Sequence, residues 1–195
     1  MITEQSMKKI VVFTVLPMLS AAFVVAGAAG PAGATVGKDS CPTPTKADVA
    51  RAAADTMDKP ARGSDDALNG VRVKYIPKGF IAGQVRVEPK EYAYQWMSGD
   101  DTSDKYRNLW VRIICDPSLV KLADLRKPSV DSGEFAKSEQ GKVGGRTVLV
   151  QVPNREFRAF RDVAWVERKG VVVSVTVSQP LFADLGKIVK GIQVK

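Results

Sequence analysis

Arg155, Arg158, Arg161, Arg168 and Lys169 concentrate positive charge on one short stretch, with Phe157 and Phe160 between them. Cations interleaved with aromatics suit an anionic surface such as phospholipid or wall polymer. The plainer reading is a solvated face of a two-sided sheet, partly neutralised by Asp162 and Glu167. Catalytic chemistry is harder to find. The chain contains no His, which removes Ser-His-Asp and Cys-His nucleophiles, two-His zinc sites and imidazole proton transfer near neutral pH. Ser118-Leu119-Val120-Lys121 has the Ser-x-x-Lys spacing that sets an amine beside a hydroxyl on one helix face. Its Ser-Asp-Asn and Lys-Thr-Gly partners are absent. Ser118 reads better as a helix-start residue and Lys121 as its solvated neighbour.

The remaining candidates dissolve in the same way. Asp100, Asp101 and Asp104 share a loop, but no Gly turn or bidentate Glu follows in calcium-loop register. Glu88, Glu91, Asp116 and Glu156 offer carboxylates with no spacing that singles out a working pair. Gly144-Gly145 lacks the other glycines and the Lys-Ser/Thr of a phosphate loop and reads as a β-turn. Tyr92, Tyr94, Trp96 and Trp110 have the aromatic faces of a sugar-stacking platform, yet aromatics at strand spacing more often fill a core. No catalytic residue, metal site or cofactor is therefore assigned.

What must position these residues is an exported body. Lys8 and Lys9 precede the uncharged stretch 10–29, and Ala32-Gly33-Ala34 follows. This is the pattern of a secretory signal over residues 1–34, cleaved after Ala34. An uncleaved anchor is the alternative, and both put the rest outside the cytoplasm. Two cysteines follow, Cys41 and Cys115. In an oxidising compartment the simplest pairing is an intramolecular disulfide, worth about 4 kcal/mol by loop-closure entropy. Two free structural thiols are the alternative; two Cys without His make a poor metal site.

Residues 35–70 read as an N-terminal extension holding a helix near 46–57, with Thr45 and Asp48 as a capping pair. Its apolar side is Val49, Ala50, Ala53 and Met57. Residues 71–195 read as an α+β domain. Strands are expected at 71–75, 85–87, 92–96, 109–115, 147–152, 157–165 and 171–177, giving a mainly antiparallel sheet of six to seven strands. The run 109–115 is apolar throughout and belongs at the centre, while 127–141 reads as polar loop. A short helix should start at Asp116-Pro117-Ser118. Pro180 should open a C-terminal helix through Leu181, Leu185, Ile188, Val189 and Ile192, packed on one face of the sheet.

Tyr75-Ile76-Pro77-Lys78-Gly79-Phe80 resembles a Tyr-x-Pro-x-Gly-Phe/Tyr signature of exported domains of unknown function from Gram-positive bacteria. Those domains end similarly, as here with Trp165, a Gly turn, a Val-rich strand and Lys187-Ile188-Val189-Lys190-Gly191-Ile192. The resemblance spans about 71–194 and implies an extracytoplasmic sensing or binding module without catalytic residues. The expectation is a secreted or envelope-associated binding module for an anionic envelope component or another protein, with no nucleic acid partner. A small secreted hydrolase, or an enzyme inhibitor presenting the turn at 167–170, is the alternative.

Overall fold

The computed structural model describes residues 40–99, 105–127, 135–151 and 160–195. The leader at 1–34, Asp100, Asp101, Asp104, Arg155, Glu156, Phe157 and Arg158 lie outside them. The elements run in the order α1 (Lys46–Ala53), β1 (Met57–Asp58), β2 (Val71–Val73), β3 (Ala82–Glu88), β4 (Glu91–Ser98), β5 (Arg107–Cys115), a 3₁₀ turn (Leu122–Arg126) and β6 (Glu139–Val143). There follow β7 (Arg146–Gln151), β8 (Phe160–Arg168), β9 (Val171–Ser178), a 3₁₀ segment (Gln179–Asp184), α2 (Leu185–Gly191) and β10 (Ile192–Val194). Among the described residues no helix is long and apolar enough to cross a membrane.

One antiparallel sheet of eight strands, ordered β1-β3-β4-β5-β9-β8-β7-β6, carries the fold, and β2 pairs with β10 in a second, two-stranded sheet. β5 is central, as its apolar run requires. The α+β class holds, but the strands outnumber the six or seven expected. β6 arises where a polar loop was expected, because an edge strand exposed on much of its length needs little hydrophobic signal. β2 leaves the main sheet because Val71 and Val73 are buried against the C-terminal elements instead.

The period-two pattern of the Val-rich strand is realised in full. Val171, Val173, Val175 and Val177 are buried on one face with Tyr92, Tyr94, Trp96, Leu109, Val111, Ile113 and Trp165. Leu181, Leu185, Ile188, Val189 and Ile192 cover that face. The expected continuous C-terminal helix is split: 179–184 is 3₁₀, only Leu185–Gly191 is α-helical, and Ile192 opens β10. A smaller cluster, Leu119, Leu125, Phe135, Leu149, Ala164 and Val172, covers part of the opposite face. The helix expected at Asp116-Pro117-Ser118 is a turn, and the 3₁₀ turn starts only at Leu122.

The N-terminal segment is tied on twice. The Cys41–Cys115 disulfide forms, with its Cα atoms 6.0 Å apart, and fixes the lead-in to the end of β5. It points to an oxidising environment. The second tie is polar. α1 ends at Ala53, short of the expected 57, and packs by its other side. Asp48 is its buried residue, whereas Val49 is 49% exposed and Met57 42%.

Gly144-Gly145 forms the β6–β7 turn with φ of 58° and 86°. A Cβ on Gly144 would stand 2.5 Å from the Gly186 carbonyl and 2.7 Å from the Lys190 amide, whereas one on Gly145 would meet nothing. Gly186 thus faces the β6–β7 turn. We predict that Gly145→Ala costs about 1 kcal/mol, from the left-handed backbone alone. Gly144→Ala should cost about 3 kcal/mol by adding a backbone clash. Thermal unfolding of both variants checks this; equal losses would contradict the close approach.

Candidate functional site

Alternation sorts the aromatics that the sequence groups together. Tyr92, Tyr94 and Trp96 point into the core and are 0–1% exposed. Each surrenders a polar atom to the N-terminal segment, as a buried Tyr or Trp must. The Tyr92 hydroxyl donates to Asp48 at 2.8 Å and accepts from the Asn69 amide at 2.9 Å. The Tyr94 hydroxyl donates to Asp58 at 3.0 Å and accepts from the Arg62 amide at 2.9 Å. The Trp96 indole donates to the Arg62 carbonyl at 2.8 Å. Gly83 makes room for the Tyr94 ring, since a Cβ there would overlap it.

Arg62 joins the two carboxylates, at 2.6 Å from Asp48 and 2.7 Å from Asp58, and Arg51 also pairs with Asp58. Thr45 completes the Asp48 shell as a capping box. Burial pushes the Asp48 carboxyl up, but bonds from Arg62, Thr45 and Tyr92 outweigh it and hold it below the usual range. Burial drives both tyrosine hydroxyls well above the ordinary tyrosine value. Groups locked in their charge states by mutual bonds make a clamp and not an acid–base pair.

Trp110 goes the other way. It lies on the opposite face of β5, half-buried. The cross-strand partners Gln84, Gln95, Trp110, Thr176, Asp162 and Gln151 form one continuous row over β3, β4, β5, β9, β8 and β7. Arg112 stacks 4.7 Å from the Trp110 ring centre and Arg86 5.7 Å from it. Arg112 is buried and donates to Ser174 at 3.0 Å, while Arg86 is exposed and pairs with Glu88. Gln84, Arg86, Glu88, Gln95 and Trp110, with Ala52 and Asp55 of the α1 end, line a groove of about 420 Å³. Amide donors and acceptors beside one aromatic ring can hold a polyhydroxylated ligand. Sequence reasoning missed the groove because the residues converge from three strands; the signal within reach was Trp110 standing between Leu109 and Val111.

The basic candidates do not meet. Arg161 lies near the start of β8 and stacks 4.4 Å over Phe182, while Arg168, at its other end, donates to the carbonyls of Ser40 and Lys195. Seven residues of strand put them roughly 20 Å apart. Lys169 shares the Arg168 end, lining a cavity of about 510 Å³ with Cys41 and Cys115. Arg155 and Arg158 are outside the described residues.

Ser118 donates its hydroxyl to Asp116 at 2.7 Å and precedes the 3₁₀ turn, so it and Lys121 do not share a helix face. Lys90 and Ser118 hold the Asp116 carboxyl far below the usual range. Glu91 stands 3.9 Å from Arg112. The turn at 167–170 is packed, with the Gly170 amide donating to the Leu119 carbonyl at 2.8 Å. Among the described residues no three metal-ligating side chains gather.

The clamp predicts a pH signature. A depressed folded pKa stabilises above the unfolded value near 3.9, and the gain is lost as pH falls through the folded value. Asp48→Asn should therefore cost about 2 kcal/mol at neutral pH and flatten the loss below about pH 4. Chemical denaturation of both proteins from neutral to acid pH measures this. Equal stability at neutral pH, or an unchanged acid slope, would contradict the clamp. Searches of protein-family models, curated proteins and solved structures find no match to the chain.

Proposed function

We propose that the protein is an exported, non-catalytic binding module whose ligand face is the Trp110 groove, and that the ligand is an extended saccharide. The observation that carries this reading is a half-buried Trp at the centre of a polar cross-strand row, on a sheet whose other tryptophans, Trp96 and Trp165, are 0% and 3% exposed. An indole face stacks on the apolar side of a sugar ring, while Gln84, Gln95 and Arg86 address hydroxyl groups in the plane. Export is supported by the Lys8-Lys9 leader pattern and the disulfide. The Tyr75–Phe80 resemblance points the same way. The hydrolase alternative gains nothing from the geometry: Ser118 donates its amide and hydroxyl to Asp116, and Glu88, Glu91 and Asp116 each stand beside a cation.

A linear oligomer of β-1,4-linked N-acetylglucosamine is the test ligand. It should change tryptophan emission saturably in the wild type, and Trp110→Ala should weaken binding by about tenfold or more, measured calorimetrically. No saturable signal, or equal affinity in Trp110→Ala, would sink the reading.

A further inference from the structure

A second surface, which the Trp110 groove does not use, lies at one end of the main sheet. β3 begins at Ala82, β5 at Arg107 and β8 at Phe160, while β4 ends at Ser98 and β9 at Ser178. Neighbouring strands among these are antiparallel, so all five termini share that end. Residues 75–81 enter β3 there, and the 3₁₀ segment Gln179–Asp184 leaves β9 there.

Aromatics and cations interleave at this end. Arg107 lies 5.6 Å from the Phe80 ring centre, Arg161 4.4 Å from Phe182 and Lys187 5.6 Å from Tyr75. All three rings are partly exposed. Ile81, next in sequence to Phe80, is 65% exposed, the highest of the exposed large hydrophobics among the described residues. It is held out by structure: the Ile81 amide donates to the Met97 carbonyl at 3.0 Å, and Arg107 donates to the Lys78 carbonyl. The Tyr75 hydroxyl donates to Asp184 at 2.7 Å, and Lys187 stands 3.7 Å from the same carboxylate. Beside Lys78, Arg107, Arg161 and Lys187, the Asp184 carboxylate contacts Tyr75 and Lys187. Asp100, Asp101 and Asp104, between β4 and β5 in sequence, lie outside the described residues.

We propose that this end is a contact surface for an anionic phospholipid membrane. Ile81 and Phe80 enter the headgroup boundary, Tyr75 and Phe182 sit at interface depth as aromatic belts do, and the four cations meet lipid phosphates. Charge alone fits an acidic protein too. An exposed Ile beside Phe80 would then need a matching pocket, whereas a fluid headgroup layer takes it without one. The surface keeps Arg161 from the basic stretch of the sequence and replaces Arg168 and Lys169, which lie at the opposite end of β8.

The test uses protein recovered from outside the producing cell, carrying Phe80→Trp as a local reporter. Vesicles of phosphatidylglycerol in phosphatidylcholine, some lipids bearing a shallow doxyl quencher, are titrated against it. The reporter should be quenched saturably beyond the signal of the native tryptophans. Affinity should fall about tenfold or more with pure phosphatidylcholine, with Lys78→Glu/Lys187→Glu, and with Ile81→Glu. These side chains are exposed, and circular dichroism confirms folding of each variant. Absence of reporter quenching, quenching indifferent to lipid charge, or quenching unchanged by Ile81→Glu would overturn the proposal.

Discussion

The two-residue period of β5 is the constraint on which the rest depends. Leu109, Val111 and Ile113 can be buried in the main core only if Trp110 and Arg112 face the other way. A one-residue slip would take the already buried Arg112 away from its partner Ser174 and turn it into the apolar cluster, where no hydrogen-bond partner offsets the cost. Because β5 sits between β4 and β9, its register propagates. Gln95 and Thr176 are the cross-strand partners of Trp110, and Ala93 and Ser174 those of Arg112. One face of the sheet thus becomes a Val-rich floor, while the other keeps a polar strip beyond the reach of the small cluster around Leu125 and Phe135.

The floor alone does not close the fold. Tyr92, Tyr94 and Trp96 are the largest side chains on the β4 share of that face, and each brings a polar atom into a place without water. Residues 45–69 answer with Asp48, Asp58, the Arg62 backbone and the Asn69 amide. The N-terminal segment is therefore held by hydrogen bonds to aromatic tips as well as by the burial of Ala67 and Leu68, and its helix leaves Val49 in water. The disulfide anchors its start to the end of β5, so the segment is tethered to the strand that sets the register of the whole sheet.

Much of this was legible in the residues. Valines at 171, 173, 175 and 177 announce one buried face, the apolar run at 109–115 announces a central strand, and two cysteines behind a leader-like stretch announce a bridge. What escaped was set by partners distant in sequence. α1 has too little apolar contrast for its alanines to say which side docks; Asp48 decides it, through Tyr92 forty-four residues away. β6 carries Glu139, Gln140 and Lys142 and reads as loop until β7 is beside it. α2 is shortened because β2 captures Ile192 and Val194 as a strand. The basic stretch looked continuous only because sequence distance ignores strand length: Arg161 and Arg168 mark the two ends of β8.

Trp110 stands apart from the aromatics packed in the core. Residue-resolved oxidation of the native protein by N-bromosuccinimide, read by mass spectrometry, tests this most directly. Trp110 should react first, with Trp96 and Trp165 protected until the protein unfolds. Oxidation of Trp96 or Trp165 at the same rate, or a Trp110 as protected as they are, would show that the sheet faces are assigned wrongly.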